Sequence, residues 1–471
     1  MEKLNKQIKK FLFILSFALI LLFLGCSEND KLGFDNIPGA HEGPDIEIPT
    51  VIPTGEEAYL NEDSDYIFDQ DRLHTFHLHI ANSALYRINS NPSAEEYVEA
   101  MMIFDGDTIS PIGVRYKGSI GAFVNCLSGN DWTNPTGHKT CTKLSMKVKI
   151  NWEGREEKFF KLRKLQFHSQ NNDDSQMHER LGYWLFREMG VPAPRSVHAR
   201  LMINGSYVGL FALTEQIDGR FAKYHFKDDD GNMYKEIWPL SMEGVPYSVN
   251  EYIQALKTNE DSNPSVDLIR GLGQEIINTN SLNQRKSIVE KYMDIEETIS
   301  YVVVDRAIRH DDGPFHWYCV SDECTNHNYY FYEEPKNKKL HLIPWDLDNA
   351  FENIIFNKNP VTPIADKWGN TSNNCKPFAY GSFSLSQWSA GCDKLTATWA
   401  SYVDLYDQKK NELTSGPMSL DKTNEMLDLW SEQILNATKE ASDLHSDAVS
   451  VEDWRAELTL LKSQLEYARN Q

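Results

Sequence analysis

Residues 179–218 read ERLGYWLFREMGVPAPRSVHARLMINGSYVGLFALTEQID, a helix signal followed directly by a hairpin signal. Met177, Leu181, Trp184 and Leu185 recur at helical spacing. Asp173 and Gln176 stand at capping-box spacing, and Gly190 with Pro192 closes the run, so a helix is expected over 174–189. Two β-patterned runs, 197–203 and 207–214, flank Asn204-Gly205, the dipeptide that a tight primed turn favours. Working outward, His77-Leu78-His79-Ile80 alternates as a strand, and so do 111–117 (PIGVRYK) and 143–150 (KLSMKVKI). Residues 94–104 (AEEYVEAMMIF) are expected to form a helix. Beyond residue 220 the composition turns towards helices, at 295–309 behind Asp294 and Glu297 and at 451–469 with Trp454, Leu458, Leu461 and Leu465. A strand-rich first half and a mainly helical second half make an α+β chain.

The N-terminus carries a different message. Lys3, Lys6, Lys9 and Lys10 precede FLFILSFALILLFLG and then Cys26, the layout of a secretory signal. The apolar run is short for a comfortable span, which needs about 20 residues. Leu24-Gly25-Cys26 resembles a lipobox, which implies cleavage after residue 25, lipidation of Cys26 and an exported protein anchored to a membrane, with Ser27 pointing to the outer membrane or cell surface. Two acyl chains anchor stably. Residues 26–65, rich in Pro, Gly, Asp and Glu, are expected to be a tether, with the fold starting near Tyr66.

Composition excludes one class of partner. With 47 basic and 69 acidic residues and a formal charge of −22, the chain lacks the positive field that nucleic acid binding requires. Setting Cys26 aside, six cysteines fall into three close pairs, Cys126 with Cys141, Cys319 with Cys324 and Cys375 with Cys392. In an exported chain an even set reads as disulfides, and sequential pairing closes the shortest loops.

Two constellations carry chemistry. In KLSMKVKI, period two places Lys143, Lys147 and Lys149 on one face, and Arg115 and Lys117 on the preceding strand run into Gly118-Ser119-Ile120-Gly121. A Gly and Ser turn presents backbone N–H groups to phosphate while a lysine supplies charge. The second lies at 305–348, where Asp311 and Asp312 leave a helix end, Asn326 and Asn328 follow, and Asp346 and Asp348 leave a strand. Carboxylates with amide oxygens between them are donors that Mg²⁺ prefers beside phosphates.

VRYKGSIGAF, SMKVKI, the 179–218 stretch, HDDG and HNYYFYEEPKNKKLHLIPWDLDNAF, in this order, resemble the CotH (spore coat protein H) kinase family over about residues 66–355. The resemblance implies a two-lobed atypical protein-kinase-like fold, with a nucleotide-binding N-lobe at 66–220 and a catalytic, metal-binding helical C-lobe at 221–471. It also implies ATP and Mg²⁺ or Mn²⁺, with phosphate passed to protein hydroxyls. On this reading Asp312 is catalytic and Asp346 binds metal, with Asp348 and Asn328 beside it. Lys147 or Lys149 meets phosphate, Lys147 being preferred, and Lys117 and Ser119 lie in the same nucleotide site. Glu179 pairs with that lysine, and Glu215 with Gln216 closes the first lobe where a hinge meets adenine. The chain departs from a compact family pattern in the insert that holds Cys319 and Cys324. The scarcity of ATP outside the cytoplasm keeps a second class open, a surface-exposed interaction or adhesion protein on an inactive kinase-like scaffold.

Overall fold

The computed structural model describes residues 45–131, 133–320, 323–352, 354, 375–380 and 385–471. Cys26 and the apolar run before it lie outside these residues. The first half closes into a barrel of seven strands: β1 (His74–Ile80), β2 (Val98–Phe104), β3 (Asp107–Tyr116), β4 (Met146–Lys149), β5 (Lys164–His168), β6 (Ser196–Ile203) and β7 (Ser206–Thr214). Their order is β1-β2-β3-β4-β5-β7-β6, antiparallel throughout except where β6 meets β1 in parallel and closes the ring. Inward side chains alternate along the strands, so Phe76, Leu78, Val114, Val148, Phe167 and Leu201 fill the interior with almost no exposure. The β6–β7 turn has Asn204 at φ 49° and Gly205 at φ 83°, both left-handed as a primed turn demands. Asn204 also clips the hairpin to β1, accepting from the Ile80 N–H and donating to its carbonyl.

Two expectations need correction here. Residues 94–104 are not a helix: Glu95 turns left-handed at φ 50°, and from Val98 the chain is strand, paired with β1 on one side and β3 on the other. Val98, Ala100, Met102 and Phe104 all point into the barrel, so two-sided pairing and burial override a helix-prone composition. Residues 51–65, expected to belong to a tether, are instead held against the barrel. The Val51 N–H donates to the Ser110 carbonyl at 3.1 Å, and Tyr59, 3 % exposed, stacks with Phe159.

Helix α1 (His178–Glu188) leaves the barrel and buries Leu181, Trp184 and Leu185, with Met177 just ahead of it, as the stripe requires. It starts four residues later than expected, because Asp173 caps the turn before it, accepting from the N–H groups of Gln176 and His178. The stripe belongs to a second core. That core is built with α2 (Ile295–Ile308), α3 (Leu420–Leu444) and α4 (Val451–Arg469), which buries Trp454, Leu461 and Leu465. Gly182 matters for this docking: a Cβ there would lie 2.7 Å from Leu347 Cδ1, so a larger residue would have to displace that fully buried side chain.

Two small sheets flank the helices. One has β11 (Tyr329–Glu334) between β8 (Met233–Lys235) and β12 (Lys339–Pro344). The other runs β10 (Glu323–Thr325), β9 (His316–Val320), β14 (Leu385–Ser389), β13 (Phe378–Tyr380). Disulfides join Cys126 to Cys141, Cys319 to Cys324 and Cys375 to Cys392, the sequential pairing expected. Among the described residues no helix is long and apolar enough to cross a membrane.

Because Leu181 is fully buried where α1 meets both halves, Leu181→Ala is expected to lower unfolding free energy by about 2–5 kcal/mol, and Leu181→Met by less than about 1.5. Urea unfolding measures both. Equal, small losses would mean that α1 is not held in the core.

Candidate active site

Five segments converge where the barrel meets the helices. β3 and β4 keep pairing past their ends, with the Lys117 N–H donating to the Ser145 carbonyl at 2.8 Å. Lys117 therefore shares a face with Arg115, two residues back, and with Lys147 opposite Arg115. β5 supplies Gln166 and His168 on that same face. The Lys117 ammonium donates to Gln166 Oε1 at 3.1 Å and lies 2.6 Å from His168 Nε2 and 5.3 Å from the Trp345 ring centre. The other ring nitrogen, His168 Nδ1, lies 2.8 Å from both oxygens of Glu179, in the first turn of α1. Thr214 Oγ1 donates to Glu179 Oε2 at 3.4 Å.

Asp346 follows β12 in a left-handed conformation, φ 56°. Its N–H donates to the Tyr183 hydroxyl at 2.9 Å, and its carbonyl accepts from His310 Nε2 at 3.1 Å. These bonds hold its carboxylate so that one ligand atom each from His168, Glu179 and Asp346 lies within 4.8 Å of the others. On the far side, Asn328 Nδ2 donates to Asp312 Oδ2 at 2.8 Å and to the Asp312 carbonyl at 3.0 Å. Asn328 is itself left-handed and buried, and its carbonyl accepts from the Trp345 N–H.

Charge is crowded here. Burial pushes the Asp312 carboxyl up to about 6, with His327 and His310 pulling it back and Asp346 adding to the rise. Burial, then Asp346, Glu179 and Asp312, hold the Asp348 carboxyl well above the usual carboxylate range. Burial, then Asp346, push the Glu179 carboxyl above the usual carboxylate range, and Lys117 pulls it back. Burial lowers Lys117, with Asp346 and Glu179 opposing. Several carboxylates thus share one buried lysine. Carboxylate oxygens in that excess, with an amide oxygen at Asn328, are a donor set that suits a hard divalent cation.

Several expected roles change in this geometry. Glu179 does not pair with Lys147; it reaches Lys117 through His168. β4 places Lys147 one residue pair short of that point, opposite Gln166. Lys147 is nevertheless unusual: among the described residues it has no carboxylate at ion-pair distance. Burial and the charges of Lys117, Lys164 and Arg115 push it down to about 7. Lys149 stands opposite Lys164, farther out, over the Trp152 ring. Ser119 is exposed and its side chain caps nothing, while the Gly118 N–H donates to Glu95 Oε1 at 2.9 Å, so that amide of the Gly-Ser turn is not open to phosphate. The Glu215 carboxylate is not at the cleft either. Arg195 grips both its oxygens and His225 one, and together they outweigh burial and hold it well below its usual range. His168, Gln166, Tyr183, Trp345 and His310 went unnoticed as site residues. Only Gln166 and His168 had a signal, the period-two spacing that puts both on one face of a strand.

A test follows from Asp312. The folded carboxyl binds its proton more tightly than the unfolded chain does, so this group costs stability as pH rises from about 4 through about 6. Asp312→Asn keeps an acceptor for Asn328 Nδ2 and loses the buried charge. Without divalent ions it is expected to exceed the wild type at pH 7 by on the order of 1–3 kcal/mol, the gain vanishing below about pH 4. Denaturant unfolding across that range measures it, and a less stable Asn variant at pH 7 would mean that the carboxylate is favourably paired.

Residues 114–470, which hold Lys117, His168, Glu179, Asp312, Asn328, Asp346 and Asp348, match the family described as CotH kinase protein. The inner spore coat protein H of Bacillus subtilis (strain 168) is 25 % identical over 195 residues, 40 % of this chain and 49 % of that protein. The chain thus spans about half the length of the curated relative it matches. With the family match running from the third barrel strand almost to the C-terminus, the chain belongs to the CotH kinase family.

Proposed function

We propose that this protein is an exported, lipid-anchored kinase with a two-lobed kinase-like plan, which moves the terminal phosphate of ATP to a hydroxyl of a protein acceptor. The observation that carries the reading is the convergence of Lys117, Glu179, Asp312 and the Asp346–Asp348 pair, from four separated segments, on one buried site. Phosphoryl transfer needs positioning and charge neutralisation more than covalent chemistry, and this set provides both.

Asp312 is the group to take the acceptor proton. A carboxyl near 6 is close to the operating pH, where a general base is most effective, and Asn328 fixes its orientation. The acceptor oxygen attacks the terminal phosphorus, the bond to the bridging oxygen breaks, ADP leaves and the proton passes to Asp312. Lys117 faces the phosphates, with the unpaired Lys147 next along the same wall. Asp346 and Asp348, with Asn328, would hold Mg²⁺ or Mn²⁺, which supplies positive charge against the phosphate oxygens. Tyr183 and His310 hold the Asp346 backbone and thereby aim its carboxylate. Export is supported by the signal, the lipobox-like Cys26 and the three disulfides. A relative named for a spore coat supports a surface location.

The reading is tested by ATP-dependent thermal stabilisation and transfer of labelled phosphate with Mg²⁺ or Mn²⁺. Asp312→Asn is expected to bind nucleotide normally but to slow transfer about 10²- to 10⁴-fold. Asp346→Asn is expected to weaken binding and transfer together. Wild-type protein that neither binds ATP with metal nor transfers phosphate would leave the interaction or adhesion protein as the better account. For the anchor, Cys26→Ser is expected to release the protein from membranes or leave its precursor uncut, as fractionation and mature mass will tell. Unchanged partition at normal mass would remove the lipid.

A further inference from the structure

We propose that His168 is a positioning residue that carries the Lys117–Glu179 ion pair through its ring, in place of direct contact between ammonium and carboxylate. Its consequence for catalysis rests on the kinase reading above; its geometry does not.

An ammonium only donates, so at 2.6 Å from Lys117 Nζ, His168 Nε2 must offer its lone pair. A neutral imidazole then carries its hydrogen on Nδ1, where both oxygens of Glu179 lie at 2.8 Å. The chain ammonium, Nε2, Nδ1–H, carboxylate is thus complete at each step. The reverse arrangement, a protonated Glu179 with hydrogen on Nε2, requires Lys117 to be an uncharged amine. The equal 2.8 Å distances from Nδ1 to both oxygens of Glu179, the geometry of one N–H shared by a carboxylate, favour the first arrangement, and Gln166 Oε1 takes a further hydrogen from Lys117 Nζ at 3.1 Å. Surroundings keep the ring neutral and fixed: it is 7 % exposed, it stands nearly perpendicular to the Trp345 ring with centroids 5.6 Å apart, and burial followed by the Lys117 charge disfavours an imidazolium. A relay also explains why the lysine that meets Glu179 lies on β3 and not on β4. The ring spans the gap between the barrel wall and the start of α1, which a direct pair would have to close.

Two measurements on the purified protein decide the matter. The first needs no nucleotide: ¹⁵N long-range correlation spectra of histidine-labelled protein should show His168 as the neutral Nδ1–H tautomer, with its signals shifted in Glu179→Gln. An Nε2–H tautomer or an imidazolium overturns the proposal, whether or not the protein phosphorylates anything. The second is kinetic. His168→Leu is expected to raise KM for ATP roughly tenfold and leave KM for the acceptor unchanged, while His168→Gln, which can accept from Lys117 and donate to Glu179, stays within about threefold of wild type. A role in folding alone would lower melting temperature and move both constants, and equal kinetics for the Leu variant and wild type would likewise overturn the proposal. If the wild type binds no ATP, the kinase reading fails and the tautomer alone judges the relay.

Discussion

The site is governed by the cost of keeping carboxylates away from water. Glu179 is 1 % exposed, Asp348 and Asp312 are largely enclosed, and Asp346 stands among them, yet among the described residues Lys117 is the lysine that faces the group, with Lys147 next along the wall. A buried charge is tolerated only when paired and hydrogen-bonded, so the position of every segment around the cleft is constrained by where its charge can be met. Lys117 must reach the cleft from the barrel, Glu179 must enter from α1, and His168 fills the distance between them.

Helix α1 makes this possible because it belongs to both halves. Its first turn presents Glu179 to the barrel wall, while Leu181, Trp184 and Leu185 sit in the helical core. Arg180, fully buried, ties the same turn to the Gln70 carbonyl, to His198 on β6 and to Gln433 on α3, and lies over the Trp430 ring. Gly182 then admits Leu347, so the segment bearing Asp346 and Asp348 is pressed against the helix that bears Glu179. Packing and electrostatics here are one arrangement: loosening α1 would move the acids and the lysine relative to one another.

The opposite side of the cleft is built differently. Immediately after Asp312 the chain enters β9, where Cys319 and Cys324 stand opposite each other and are joined. β9 pairs with β14, which runs into Cys392, itself bonded to Cys375. The insert that departs from a compact family pattern is therefore ordered sheet braced by two local crosslinks.

Local signals of strong period were legible from the chain alone. The α1 stripe, the Asn204-Gly205 hairpin, the helix over 451–469 and the three cysteine pairs each depend on neighbours within about 20 residues, and a sequence displays such neighbours directly. Residues 94–104 misled because Glu, Ala and Met favour a helix in isolation, whereas β1 and β3 on either side make a strand. The cleft was half legible. Asp312 and Asp346 stood at the ends of elements and Glu179 entered only through the family resemblance, while the choice among Lys117, Lys147 and Lys149 rests on strand register and on where α1 begins. The same holds for Glu215, whose partner Arg195 lies across a β-ladder, and for His168, an ordinary alternating residue until the barrel closes against α1. Period and spacing determine which residues share a face. Which face meets which charge is decided only when distant segments compete to neutralise the same buried group.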